Sequence, residues 1–407
     1  MHADFIARLR RLAAEPSFPV LMALSAVHCL NDTLQSVVTA VYPMLKEDLS
    51  LSFAQIGLIT LVYQIASSVF QPVIGYAFDR RPFVRSLPAG MCCTAAGIVL
   101  FALAQSLPMV LVAVAMVGVG SATLHPEASR ITSLASHGRR GMAQSIFQVG
   151  GNFGSSVGPL LVAVLVAPYG RSRAAMFVLL ALLAIRLMVP VCRWYGAWLG
   201  ERSAHKDEHR AHIPRPLPPA LTWMTVGLIL LLIFSKYIYM ASITSYYTFY
   251  LIDTFGMSIS MSQVCLFVFL FATAAGTLVG GPVGDRYGRK RVIVLSLVGT
   301  APFSLLMPHC GAALTVVMSF GAGFMLSSAF PAILLYSQEL FPNKLGTVSG
   351  MFFGLSFGVA GIASAALGHF ADTMGIEAIY RFCAYMPLLG LAALWLPDLG
   401  RRPRLGE

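Results

Sequence analysis

The chain has 407 residues, of which 57% are hydrophobic and only 11% are charged, and its formal net charge is +11. Soluble domains carry about 25% charged residues, so the composition excludes an ordinary soluble protein and predicts a chain that crosses a lipid bilayer repeatedly. The positive charge does not indicate a nucleic-acid partner, because the basic residues lie between apolar stretches rather than on a soluble, aromatic-rich segment. The seven cysteines lack the spacing of a metal site, so we expect no bound metal and unpaired packing thiols.

Apolar windows long enough to cross a bilayer, about 20 residues each, predict an all-α membrane protein with twelve transmembrane helices. The longest polar segment, residues 200–219, contains four prolines and predicts a cytoplasmic linker. It separates a six-helix half, residues 1–199, from a second six-helix half, residues 220–407. In chain order the windows cover residues 18–44, 53–78, 87–105, 107–134, 142–167, 173–198, 221–250, 262–283, 291–308, 312–337, 346–370 and 377–396.

The distribution of basic residues predicts the orientation of the chain. With the N-terminus placed inside, the inner segments hold 21 lysine and arginine residues and the outer segments hold four. Cytoplasmic loops carry the excess of these residues, so both termini are predicted to be cytoplasmic.

Landmarks of the first half recur in the second half at an almost constant offset. Two parallel six-helix repeats are typical of transporters, whose site lies near the membrane midplane at the interface of the repeats. The sequence therefore predicts a transporter built from two repeats. The motif Gly75-x3-Asp79-Arg80 recurs 206 residues later as Gly281-x3-Asp285-Arg286, and Gly118, Pro126 and Gly141 recur 205 residues later as Gly323, Pro331 and Gly346.

The first predicted span carries a polar stripe, in which polar residues recur every three or four positions. Such a stripe cannot face lipid, so it lines either a pathway that contains a titratable acid or a hydrogen-bonded packing seam. Asp32 is near the middle of the span, and His28 is one turn before it. The stripe consists of Ser25, His28, Asn31, Asp32, Gln35 and Thr39.

The fourth predicted span ends in a group of ionisable residues, His125, Glu127 and Arg130, around Pro126. Each such group at membrane depth costs about 2.5–3.5 kcal/mol on insertion scales and by default indicates a site. The alternative is a helix end that has already reached the lipid headgroups. The second repeat retains the proline but has Phe330, Ala332 and Leu335 in place of the three ionisable residues, which favours the first interpretation.

Two further spans carry candidate binding residues. In the fifth span Gln148 and Asn152 either recognise a polar solute or join helices. In the seventh span Lys236 is at mid-depth, with Tyr239 and Tyr246 broadly on its side. Lys236 either binds an anionic substrate or neutralises Asp32.

The residues Gly281-Pro-Val-Gly-Asp285-Arg286-Tyr-Gly-Arg-Lys-Arg291 resemble the loop signature between helices 8 and 9 of the major facilitator superfamily. The segment 75–85 resembles the partner signature between helices 2 and 3. The closer resemblance is to the fosmidomycin resistance protein branch of that superfamily. It is carried by His125-Pro-Glu-Ala-Ser-Arg130, by residues 144–159, by Ser235-Lys236-Tyr237 and by residues 246–250.

This resemblance implies export of small polar or anionic toxic compounds, such as fosmidomycin-like antibiotics, by proton antiport with alternating access. The alternative is a proton- or ion-coupled importer of a small organic anion such as a sugar acid. We expect a monomer in the cytoplasmic (inner) membrane, with protons and a small molecule as its partners and no cofactor besides the proton gradient. The sequence has no nucleotide-binding loop and no motif of a metalloprotease or serine hydrolase, so no enzyme is predicted.

Roles for individual residues follow from the polar pattern and from the resemblance. Asp79 and Asp285 are either gate latches that contact a helix N-terminus or charges that only set topology. The proton-coupling candidates are Asp32, Glu127 and His28; the substrate-binding candidates are Arg130, Lys236, His125, Gln148, Asn152, Gln35, Tyr239 and Tyr246; and the gating candidates are Asp79, Arg80, Asp285 and Arg286.

Overall fold

The computed structural model describes residues 17–136, 140–204, 218–341 and 345–399, and these ranges are almost entirely helical. The prediction of an all-α protein is confirmed. The helices are α1 (Phe18–Ala40), α2 (Tyr42–Asp48), α3 (Phe53–Arg80), α4 (Ser86–Leu103), α5 (Leu107–Leu134), α6 (Arg140–Leu161), α7 (Val178–Ala204), α8 (Pro219–Phe255), α9 (Ile259–Tyr287), α10 (Arg289–Leu306), α11 (Ala312–Leu340), α12 (Leu345–Met374) and α13 (Ile376–Cys383).

Within the described ranges, eleven helical segments are long and apolar enough to cross a membrane, and each matches a predicted span. The remaining predicted span, residues 18–44, forms α1 and the start of α2. Its polar stripe lowers its hydropathy, which explains why α1 is not among the eleven. The last predicted span, residues 377–396, is not one continuous α-helix, because α13 is followed by a 3-10 segment, Met386–Trp395.

The chain divides into two compact units that differ from a simple division into halves. The first unit comprises residues 1–45 and 62–210, and the second comprises residues 46–61 and 211–407. Because the boundary falls between residues 61 and 62, the helix α3 begins in the second unit and continues in the first. Most of the predicted linker, residues 205–217, lies outside the described residues.

Hydrogen bonds at the start of α3 explain why residues 46–61 belong to the second unit. Ser52 and Gln55 form a capping box, in which the Ser52 N–H donates to Gln55 Oε1 over 2.9 Å and the Gln55 N–H donates to Ser52 Oγ over 3.1 Å. The next two backbone N–H groups, of Phe53 and Ala54, each donate over 2.8 Å to the Asp372 carboxylate on α12. A carboxylate is well placed there, because the N-terminal end of a helix carries partial positive charge.

In the first unit, α1 and α6 pack closely against each other through three glycines of α6 spaced four residues apart. A Cβ atom at Gly150, Gly154 or Gly158 would collide with Ser25, Cys29 or Ser36 of α1, respectively. Small residues at this spacing allow two membrane helices to approach at backbone distance. The contact places the polar stripe of α1 against α6 rather than against lipid.

We expect Gly154→Ala to destabilise the protein, because its Cβ would collide with the backbone carbonyl of Cys29. Overpacking of this kind typically costs about 1–3 kcal/mol. The control is Gly227→Ala, since a Cβ at this position on α8 meets nothing within 4 Å. Thermal unfolding in detergent should give a lower midpoint for Gly154→Ala alone, and equal midpoints for the two variants would contradict the packing argument.

Candidate functional site

Asp32 on α1 is the centre of a polar cluster in the first unit, and its side chain is 16% exposed. The carboxylate oxygen Oδ1 accepts from Asn31 Nδ2 over 3.0 Å and from Gln35 Nε2 over 3.2 Å. Gln35 is in turn fixed by the Tyr63 hydroxyl of α3, which donates to Gln35 Oε1. The predicted polar stripe is therefore a connected hydrogen-bond network around one acid.

Two histidines face this carboxylate from different helices. The distance from His28 Nε2 to Asp32 Oδ2 is 3.3 Å, and the distance from His125 Nε2 to Asp32 Oδ1 is 3.5 Å. The two imidazole rings are edge to face, with centroids 5.0 Å apart. His125, a predicted substrate contact, thus lies beside Asp32, and its substrate role stays a prediction.

The second nitrogen of each imidazole determines which atom can exchange a proton. His28 Nδ1 is 2.8 Å from the Phe147 carbonyl oxygen, and His125 Nδ1 is 3.0 Å from the Ser121 carbonyl oxygen. A carbonyl only accepts hydrogen bonds, so each Nδ1 carries a hydrogen in these contacts. Each Nε2 is then directed at Asp32, and a hydrogen bond forms there only when a proton lies between the nitrogen and the carboxylate. The cluster thus provides two positions for an exchangeable proton.

The packing around His28 restricts its ring. The Phe147 ring of α6 stacks on it, with centroids 4.0 Å apart and an interplanar angle of 19°. His28 is 2% exposed, and a Cβ at Gly151 would touch both His28 and Asp32. The close packing of α1 and α6 therefore determines the orientation of the imidazole.

Glu127 and Arg130 form a separate arrangement on α5. Glu127 is 2% exposed, and its Oε1 is 3.0 Å from Arg130 Nη2. Arg130 also donates from Nη1 to the Phe78 carbonyl of α3 over 3.0 Å, and from Nη2 to the Tyr195 hydroxyl of α7. The guanidinium predicted to bind substrate thus joins α5 to α3 and α7.

The amides of α6 divide into two groups. Gln144 accepts from Ser129 Oγ over 3.2 Å and joins α5 to α6. Gln148 and Asn152 are partly buried, and neither has a side-chain partner within the described part of the chain. These two amides retain hydrogen-bonding capacity for a polar solute.

Lys236 of α8 is 3% exposed, and its charged group lies against aromatic rings of the second unit. Its Nζ is 4.5 Å from the Phe330 ring centroid and 5.3 Å from the Tyr237 ring centroid. Tyr246 is used in packing, since its hydroxyl donates to the Ser364 carbonyl over 2.6 Å. Tyr239 is 2% exposed, and among the described contacts neither Tyr239 nor Tyr246 touches Lys236.

The predicted gating residues are at helix ends, as expected, since α3 ends at Arg80 and α9 ends at Tyr287. The side chains of Asp79, Arg80 and Asp285 lie outside the described part of the structure, so their latch role stays a prediction. Arg286 is exposed, and its guanidinium is 5.2 Å from the Tyr287 ring centroid.

Some contributors to these sites were not identified from the sequence. Ser121 could have been, because it is one turn before His125 on the same helix face. Tyr63 and Tyr195 could not, because each comes from a different helix and nothing in its local sequence distinguishes it from a packing residue.

Paired repeats of membrane-spanning helices with buried ionisable residues define a secondary transporter. The family model of the Major Facilitator Superfamily matches residues 24–271 and 228–406. The chain therefore belongs to this superfamily, and its relatives and fold are those of transporters, not enzymes. This confirms the predicted class and the fold of twelve helices in two repeats.

Individual relatives agree with this assignment. The chain is 54% identical to the fosmidomycin resistance protein of Escherichia coli (strain K12), over 95% of this chain and 94% of that protein. It is 24% identical to the hexuronate transporter of the same organism, over 89% of each chain. The solved structure of a mutant of the nucleoside transporter NupG matches with a TM-score of 0.70 at 11% identity, covering 92% of this chain and 98% of that chain, which shows the fold alone.

We expect Arg130→Ala to destabilise the protein strongly, because it leaves the buried Glu127 carboxylate without its cation. Breaking one side of a buried ion pair costs about 3–5 kcal/mol. In thermal unfolding, adding Glu127→Gln to Arg130→Ala should restore part of the loss.

The matched control is Arg381→Ala, because Arg381 pairs with Glu377 at i and i+4 while the two side chains are 59% and 50% exposed. Such surface pairs contribute about 0–1 kcal/mol. Equal effects of Arg130→Ala and Arg381→Ala would show that the Arg130 contacts do not stabilise the helix junction.

Proposed function

We propose that this transporter exports small polar or anionic toxic compounds, with fosmidomycin-like antibiotics among them, in exchange for protons. The observation that carries the proposal is the 54% identity, over 95% of this chain, to a protein named for fosmidomycin resistance. Export requires an energy source, and the proposed source is the proton gradient with no further cofactor. The proposed location is the cytoplasmic membrane, with both termini inside and the monomer as the working unit.

The Asp32 cluster is the proposed proton site. Its two Nε2 atoms, of His28 and His125, approach one carboxylate at 3.3 Å and 3.5 Å, and a proton between nitrogen and oxygen stabilises either contact. In an antiporter with alternating access, the proton enters from outside and leaves to the inside. A change in the distance between α1 and α5 would remove the His125 contact and favour proton release. Glu127, paired with Arg130, is the second candidate.

Each proposed substrate contact is assigned from the chemistry of its own side chain. Lys236 supplies a point charge for a phosphonate or carboxylate, and Gln148 and Asn152 supply unused amide groups. Arg130 has its donors directed at Glu127, Phe78 and Tyr195, so its predicted substrate role requires that it exchange those partners. Gln35 donates a hydrogen bond to Asp32, so a substrate that binds Gln35 would also disturb the proposed proton site.

A second candidate is proton-coupled import of a small organic anion. It is favoured by the similarity to a hexuronate transporter, which at 24% identity is much weaker than the similarity to the resistance protein. Gates at the inner helix ends, with the acids Asp79 and Asp285, would serve either direction of transport. The direction must therefore be measured.

Everted membrane vesicles provide this measurement. Export predicts that labelled fosmidomycin accumulates in vesicles containing the protein when their lumen is acidic, and that a protonophore abolishes the accumulation. Control vesicles lack the protein. Accumulation only in right-side-out vesicles would instead support import, and accumulation that persists with the protonophore would exclude proton coupling.

We expect Asp32→Asn to abolish accumulation against a gradient while leaving exchange of labelled for unlabelled substrate. The amide keeps the shape of the side chain but removes the charge that holds a proton beside His28 and His125. Glu127→Gln tests the second candidate in the same assay, and Glu377→Gln, at an exposed acid, is the control. If both Asp32→Asn and Glu127→Gln still accumulate substrate, neither acid carries the proton.

A further inference from the structure

The buried ammonium group of Lys236 is an energetic problem that the described residues do not solve. The side chain is 3% exposed, and within the described ranges no carboxylate forms an ion pair with it. Removing a charge from water is costly, and the contacts with the rings of Phe330 and Tyr237 offset only part of that cost. An anion that binds beside Lys236 would favour the charged form of its amine.

An aromatic surface adjoins this ammonium group. Phe330, whose ring is 4.5 Å from Lys236 Nζ, contacts Phe352 and Phe353 of α12 at centroid distances of 5.6 Å and 5.9 Å. Phe357 continues the surface 6.5 Å from Phe353. The rings of Phe330, Phe353 and Phe357 are partly buried rather than fully enclosed. We name these four phenylalanines, 330, 352, 353 and 357, the aromatic wall.

Packing between α8 and α12 does not by itself require the large rings of the aromatic wall. One turn beyond Phe357, Ala360 and Ala363 pack against Ala241 of α8. There the small residues let the two helices approach closely. The part of α12 that contacts Phe330 carries bulky rings instead, and the Phe330 ring lies 4.5 Å from Lys236 Nζ.

The internal repeat brings equivalent helices together around a charged side chain in both units. Phe330 corresponds to His125 of the first repeat, and α8, which carries Lys236, corresponds to α1, which carries Asp32. In the first unit these helices bring an imidazole to a carboxylate, and in the second they bring a phenyl ring to an ammonium group. Equivalent helices of the two repeats thus hold charged groups of opposite sign.

We propose that Lys236 and the aromatic wall form a subsite for organic anions that carry a flat apolar group next to the charge. The anionic group contacts Lys236 Nζ, and the flat group packs against Phe330 and Phe353 in the offset-stacked or edge-to-face geometry that ring pairs prefer. This inference rests on the proposed function: in an exporter of toxic anions, the subsite determines which of these anions are preferred substrates.

The test measures binding to the purified protein in detergent, without a gradient, by isothermal titration calorimetry. The probes are phenylphosphonate and propylphosphonate, which share a head group and differ in the flat ring. Wild type should bind phenylphosphonate about tenfold more tightly. Phe330→Leu should reduce that preference to about twofold or less, because leucine keeps apolar volume without a ring. The control Phe267→Leu, which removes a ring from the Phe267–Phe271 pair on α9, should keep it.

Lysine variants test the charge. Lys236→Gln should weaken both probes by about tenfold or more, while Lys236→Arg, which keeps the positive charge, should retain the preference. If Phe330→Leu does not fold, Phe353→Leu takes its place. Equal affinity of wild type for the two probes, or an unchanged preference in Phe330→Leu, overturns the inference.

These outcomes are independent of the proposed export. Binding that follows the expected pattern while vesicles fail to transport fosmidomycin would retain the subsite and reject the exporter. Fosmidomycin export without any preference for phenylphosphonate would retain the exporter and reject the subsite.

Discussion

The close approach of α1 and α6 is the constraint on which the polar site of the first unit depends. Gly150, Gly154 and Gly158 remove the side chains that would hold the two backbones apart. Only at this distance can His28 Nδ1 reach the Phe147 carbonyl, which directs His28 Nε2 at Asp32. A membrane offers little hydrophobic drive for helix association, so backbone-level packing and these few polar contacts must hold the site in place.

Equivalent helices of the two repeats hold side chains of opposite charge. The fourth helix of the first repeat brings His125 to Asp32, and the equivalent helix of the second brings Phe330 to Lys236. Pro126 and Pro331 lie inside the equivalent helices of the two repeats. The repeats thus share the proline, while the residues beside it differ in chemistry.

The sequence predicted the features that depend on spacing along one helix. Asp32 and His28 are four residues apart, so their contact follows from helix geometry, and the helix bounds follow from apolar length. Features that depend on contacts between helices were not accessible. The substrate role of Arg130 stays a prediction, but its contacts with a carbonyl of α3 and a hydroxyl of α7 could not be foreseen from its own helix. Likewise, residues 46–61 belong to the second unit, where Phe53 donates to Asp372, a residue 319 positions away in sequence.

The stacked ring of Phe147 also limits how a proton can move through His28. An imidazole that passes a proton onward must either use both nitrogens in turn or rotate between partners. Here Nδ1 keeps its hydrogen on a backbone carbonyl, and the phenyl ring, 4.0 Å away and nearly parallel, opposes rotation. In the proposed proton antiport, a proton would therefore reach and leave His28 through Nε2 alone, the atom that faces Asp32. The direction of proton flow would then be set by which side of the membrane has access to Asp32.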